Sequence, residues 1–144
     1  MDASLTDRHG EVRTLLADVV RWARSRPDVD AVALVGSYAR GQARTSSDVD
    51  LVVLGPGTAD LAADPAWFGV LRPGGDLVRS ATWGPLLERR FRLPSGLVVE
   101  VGLAPSTWAD VPLDPGTRRV LRDGHRVLHD PHGLLRRAGD AATA

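Results

Sequence analysis

The chain has 144 residues, 43% of them apolar, which suits one domain with its own core. With 18 basic and 18 acidic side chains the net charge is zero, which excludes a whole-surface attraction to nucleic acid or membrane. The absence of cysteine excludes disulfides and thiolate chemistry, and because every basic residue is arginine no lysine can serve as general acid or Schiff base.

Taken in order, residues 6–25 predict a helix, with Val12, Leu15, Leu16, Val19, Val20 and Ala23 at three-and-four spacing, Thr6 as cap and Arg21, Arg24 and Arg26 near the end where positive charge suits the dipole. Met1 to Asp7 has neither the basic region nor the apolar core of a signal peptide. No apolar run nears the ~20 residues of a membrane helix, so a soluble, cytoplasmic protein is the expectation. Ala31 to Val35 and Val49 to Leu54 read as buried strands, separated by a turn with a short helix (Gly36 to Gly41) and a polar loop (Gln42 to Ser47). Pro56 to Gly75 is the least ordered stretch to read. Asp64-Pro65 predicts a short helix through Trp67, Phe68 and Leu71.

Asp76 to Trp83 and Leu86 to Leu93 follow as strands, the second with Leu87, Arg89, Phe91 and Leu93 on one side and Glu88, Arg90 and Arg92 on the other. Pro94-Ser95-Gly96 is a hairpin turn into a strand from Leu97 to Leu103. Asp114-Pro115 opens a helix through Arg122 that Gly124 closes, and Arg126 to Leu128 forms a short strand. Asp130-Pro131 opens a last helix to about Arg137, so the domain core spans about 6–138 and 140–144 fray. The sum is a single α/β (α+β) domain over 1–144: a mixed sheet with helices packed on it.

The chemistry concentrates between Leu34 and Leu54. Asp48 and Asp50 are two apart, so on a strand both carboxylates point to one face. There they repel, and a divalent cation relieves the repulsion; oxygen-only ligands favour Mg²⁺ or Mn²⁺. Gly36 permits close backbone approach. A helical turn opening at Ser37 offers a hydroxyl and free N–H groups to a phosphate. The bland alternatives are an Asx-turn pair at the two aspartates and an ordinary tight turn at Gly36-Ser37.

Gly36-Ser37, ten residues, then Asp48-x-Asp50 resembles the signature of the DNA polymerase beta-like nucleotidyltransferase superfamily. Ala39-Arg40-Gly41 is similar to what the minimal nucleotidyltransferase branch often carries. The resemblance implies the nucleotidyltransferase fold and a third acid on a later strand. Glu100, the one charge within the apolar run Leu97 to Leu103, is the candidate; its bland alternative is a solvent-facing edge residue. Glu88 competes, but among arginines at a strand start it reads as a surface charge.

By two-metal logic Asp48 and Asp50 would hold the Mg²⁺ that grips the triphosphate, and Asp50 and Glu100 a second that activates the acceptor hydroxyl, unless Glu100 takes the proton itself. Gly36 and Ser37 would seat the phosphates. Arg40 and Arg44 would add charge there, or else are solvated loop arginines. The implied reaction moves AMP from ATP to a hydroxyl of a small molecule or of a protein, as antitoxin members do to a HEPN-type toxin. A partner protein or homodimer would complete the acceptor site. The alternative is a non-catalytic nucleotide-binding subunit that kept the fold. Zero net charge leaves no basic track for a nucleic-acid template. His125, His129 and His132 read as surface residues and the four tryptophans as core or lid, with Trp108 the one to watch for a nucleotide-site role.

Overall fold

A computed structural model describes residues 3–144; Met1 and Asp2, where the stretch tested for a signal peptide begins, lie outside the described residues. Six strands form one sheet in the order β3-β4-β5-β2-β1-β6. They are β1 (Ala31–Val35), β2 (Val49–Leu54), β3 (Asp76–Trp83), β4 (Leu86–Arg92), β5 (Val98–Ala104) and β6 (His125–His129). Only β2 and β5 run parallel; every other pair is antiparallel. The helices are α1 (Ala3–Arg24), α2 (Gly36–Ala39), α3 (Thr58–Ala63), α4 (Ala66–Leu71), α5 (Pro115–Arg122) and α6 (Leu134–Thr143), with a 3₁₀ turn at Ser106–Ala109. Among the described residues no helix is long and apolar enough to cross a membrane.

One face of the sheet is covered by α1, α3 and α4. Val12, Leu15, Leu16 and Val19 of α1 pack there with Val32, Leu34, Leu51, Val53, Val99, Val101 and Leu103. The stacked rings of Phe68 and Phe91, 3.9 Å apart, clamp α4 to β4. The other face is covered in part. Ala31, Ala33, Val52, Leu54 and Ala104 meet Trp108, Leu121, Leu135 and Ala138. The opposite ends of β2 and β5, with the outer β4, carry Asp50, Glu100, Glu88 and Arg90 on that same face. Strands buried on both sides have no polar alternation, which is why β1 is an unbroken apolar run with all five residues buried.

Four expectations need correction. Helix α1 begins at Ala3, so Thr6 lies within it and is no cap. The helix expected from Asp64-Pro65 is present as α4, started by the Asp64 carboxylate accepting from the Ala66 N–H at 3.1 Å, and a second short helix not expected there, α3, precedes it, where Thr58 donates to the Gly55 carbonyl at 2.9 Å. Asp114 makes no side-chain cap bond at α5, although Pro115 does open it. The last helix starts at Leu134, with the Asp130 carboxylate reaching forward to the N–H groups of Leu135 and Arg136 at 3.1 and 3.0 Å. It continues through the stretch expected to fray, because Ala138, Gly139 and Ala142 give it a small-residue face buried against the domain.

Phe68→Ala should cost about 3–5 kcal/mol in urea unfolding, since it removes a fully buried ring and leaves Phe91 beside a cavity. A loss under about 1 kcal/mol would mean that α4 is not part of the cooperative core.

Candidate active site

The corner between β1 and α2 is built on Gly36. Its φ is +74°, and a Cβ there would lie 2.2 Å from Asp50 Oδ2. Glycine is therefore required twice, for the backbone angle and to let the Asp50 carboxylate rest against this corner. Ser37 follows, half-buried, in a helix of one turn. Arg40 and Arg44 are exposed. Arg40 donates from Nε to Gln42 at 3.2 Å and lays its stem over Gly124 of the turn before β6; the Arg44 backbone N–H bonds Ser47 Oγ at 2.8 Å. Among the described residues neither guanidinium is paired with the carboxylates discussed below.

Sheet register assembles those carboxylates. Asp50 of β2 pairs with Glu100 of β5, Glu100 with Arg90 of β4, and Arg90 with Arg79 of β3. Cross-strand partners share a face, so the row reads Asp50, Glu100, Arg90, Arg79 across four strands. Asp48 lies just ahead of β2 and joins the row through Arg90, whose Nη2 donates to Asp48 Oδ2 at 2.5 Å while Nε lies 3.4 Å from Glu100 Oε1. Burial pushes the Asp50 carboxyl from its ordinary 3.8 up to about 8, and the hydrogen bond and charge of Glu100, then Asp48 and Glu88, push the same way. The structure thus brings Asp48, Asp50 and Glu100 together beside Gly36, with Ser37 next in the chain, and leaves Arg40 and Arg44 outside the row.

Glu88 is not a surface charge. It is 8% exposed, accepts the Trp83 indole N–H at 2.5 Å, and lies 3.6 Å from Arg79. Its Oε1 is buried with no hydrogen-bond partner among the described residues. Opposite it on β5 is Gly102, where a Cβ would come within 2.9 Å of Leu86. The sequence reading also missed Arg90. A signal for both was present. The β4–β5 hairpin folds symmetrically about Ser95, so Arg90 and Glu100, equidistant from it, had to face each other, and Glu88 shares their side of the strand.

Among the described residues no three His, Cys, Asp or Glu side chains are already spaced to hold a metal ion. His125, His129 and His132 do not converge; His125 Nδ1 is 2.9 Å from the Leu121 carbonyl. The donor chemistry of Asp48, Asp50 and Glu100 nevertheless fits Mg²⁺ or Mn²⁺: carboxylate oxygens only, with a guanidinium between two of them showing that the cluster takes up positive charge. Trp108 is buried among Ala109, Leu113 and Leu121, its carbonyl accepting from Thr117 at 3.1 Å, and it lines a cleft with Trp83 and Leu86.

The sequence model of a nucleotidyltransferase domain matches residues 15–100, which takes in Gly36, Ser37, Asp48, Asp50 and Glu100. This chain belongs to that nucleotidyltransferase family. Solved structures similar to it are distant in sequence. The Cid1 poly(U) polymerase is 15% identical at a TM-score of 0.47, over 85% of this chain and 34% of that one. A cytoplasmic RNA terminal U-transferase is 17% identical at 0.48, over 85% and 33%. A chain from a toxin–antitoxin structure with AMP-PNP is 12% identical at 0.47, over 89% and 83%. This chain therefore spans about a third of the length of the first two. No curated protein matches the sequence.

The raised Asp50 pKa fixes a pH dependence. In metal-free protein the folded state keeps a proton that the unfolded chain releases above about 4, so this group's contribution to stability falls as pH rises from about 4 to 8. Asp50→Asn has no proton to lose. In EDTA its melting temperature should gain on that of the natural protein steadily from about pH 5 to 8. The comparison isolates this carboxyl, because His129, lowered by burial and by Arg24, acts in both proteins. A difference independent of pH would contradict the assignment.

Proposed function

We propose that this chain transfers a nucleoside monophosphate, AMP from ATP, to an acceptor hydroxyl. The observation that supports this best is the parallel β2–β5 register, which sets Glu100 beside Asp50 with Asp48 and the Gly36 corner adjoining. Asp48, Asp50 and Glu100 would hold the divalent cation, which supplies charge neutralisation for the triphosphate and a lowered pKa for the acceptor hydroxyl. The chain's own groups do the rest. Gly36 and Ser37 seat the phosphates through backbone N–H groups and the hydroxyl. Glu100, the acid of the row nearest β4, faces the side from which an acceptor would enter and can receive its proton. Pyrophosphate leaves in line, on the side of the Gly36 corner.

The acceptor would lie in the cleft of about 400 Å³ on the same face, walled by Trp83, Pro85, Leu86, Trp108 and Val120. Of its walls, Leu86 lies over Gly102 and Trp83 bonds Glu88, and these two partners are one register step beyond the acidic row. It suits a small molecule or a side chain presented by a partner protein, including a HEPN-type toxin.

Incubation with each of the four α-³²P-labelled nucleoside triphosphates and cell lysate tests the reading and identifies both base and acceptor class. Label should pass from ATP to a protein or a small molecule only with Mg²⁺ or Mn²⁺ present. Asp50→Asn should lower transfer more than about 100-fold, the scale on which lost electrostatic stabilisation of a reacting phosphate is felt. Glu100→Gln should keep ATP binding and lose turnover. Undiminished transfer by Asp50→Asn would refute the mechanism.

A further inference from the structure

The acidic row contains a cation of its own. Arg90 is held on β4, whose ring neighbour Phe91 is locked in the core, so the base of its side chain is fixed opposite Glu100. The way it uses its guanidinium is unusual within this molecule. Arg26 places Nε and Nη2 on the two oxygens of one carboxylate, Asp28, at 3.0 and 2.8 Å. Arg90 divides the same edge between two carboxylates, Nη2 on Asp48 and Nε on Glu100. Bridging oxygens of different acids is the task of a metal ion in such a cluster.

We propose that Arg90 is the built-in counter-ion of the metal-free site: it holds Asp48 and Glu100 together, competes with the divalent cation for their oxygens, and must withdraw when the metal binds. This rests on the reading of the site as a metal-dependent one. The competition follows from two constraints. Asp48 Oδ2, which would ligate the ion, accepts from Arg90 Nη2, and Glu100 Oε1 is ion-paired with Arg90 Nε at 3.4 Å; a guanidinium left within a few ångströms of a divalent cation is repelled by it. Asp48 and Glu100 are each about a quarter exposed, at 26%, and Arg90 at 29%, so the guanidinium has solvent to withdraw into without unfolding β4. Arg90 is thus a positioning residue that lowers resting metal affinity and keeps Asp48 and Glu100 together before substrate arrives.

The test is Mn²⁺ binding followed by electron paramagnetic resonance, without nucleotide, at about 0.15 M salt, where the Debye length is about 8 Å. Asp50→Asn identifies the binding that belongs to this site. Arg90→Gln should bind Mn²⁺ about fivefold more tightly than the natural protein, the gain expected when a partly exposed ion pair no longer competes. Arg90→Lys, which keeps the charge but cannot span two carboxylates, should fall between them, and it keeps the question open to answer if Arg90→Gln does not fold. Arg79→Gln removes the same charge one strand farther out, from a side chain 47% exposed, and should leave affinity nearly unchanged. Equal or weaker Mn²⁺ binding by Arg90→Gln, or an equal gain in Arg79→Gln, overturns the proposal. If Mn²⁺ binding depends on Asp50 yet ignores Arg90, only this inference fails. If no Asp50-dependent binding exists in any variant, the metal-dependent reading of the site fails with it.

Discussion

Two carboxylates held in register on neighbouring strands are the constraint around which this structure is arranged. The pairing of Asp50 with Glu100 follows from the one parallel junction in the sheet, β2 with β5. Like charges directly opposite each other on a sheet are destabilising, and burial makes the repulsion worse. A domain that keeps such a pair must neutralise it. Arg90 sets its guanidinium on Asp48 and Glu100, and burial with the neighbouring acids holds the Asp50 carboxyl well above the usual carboxylate range.

The surroundings follow from the same constraint. Asp50 can lie where it does because Gly36 has no Cβ, and the φ of +74° at Gly36 turns β1 sharply into α2. At Gly102, two residues beyond Glu100, the Leu86 side chain lies where a Cβ would be and forms one wall of the adjoining cleft. Trp83 at the tip of that hairpin is tied by its indole N–H to Glu88. Helices cover the other face of the sheet, while α5 and α6 cover only the part of this face beyond the acids. The partial covering leaves the acidic row reachable from solvent on a rigid sheet.

Much of this was legible in the sequence, for identifiable reasons. Ala31 to Val35 and Leu51 to Leu54 are buried on both sides, so their unbroken apolar runs announced strands. In β5, Glu100 shares its face with Val98 and Gly102, opposite Val99, Val101 and Leu103, as strand alternation requires. The spacing from Gly36-Ser37 to Asp48-x-Asp50 carries the family's signature in the sequence itself. What stayed hidden depends on tertiary neighbours. Glu88 looked solvated because nothing in its own segment showed that Trp83 and Arg79 would close over it. Helix α3 buries only Thr58, Leu61 and Ala62, too little pattern to stand out. The end of α6 packs through alanine and glycine, residues with a weak hydrophobic signal; at Gly139 a Cβ would lie 2.7 Å from the His125 ring. Arg40 and Arg44 sit near the Gly36 corner and are exposed, whereas the cation that reaches the acids, Arg90, comes from a strand far along the chain.

Whether Asp48, Asp50 and Glu100 bind a metal together is decided by where Mn²⁺ sits. Anomalous diffraction from crystals soaked with Mn²⁺ and a non-hydrolysable ATP analogue tests it most directly. The account predicts a Mn²⁺ peak within about 2.2 Å of oxygens from both Asp48 and Asp50, with the triphosphate at Gly36-Ser37 and Arg90 withdrawn from Asp48. Mn²⁺ and triphosphate bound elsewhere on the molecule, with Arg90 still bridging Asp48 and Glu100, would contradict it.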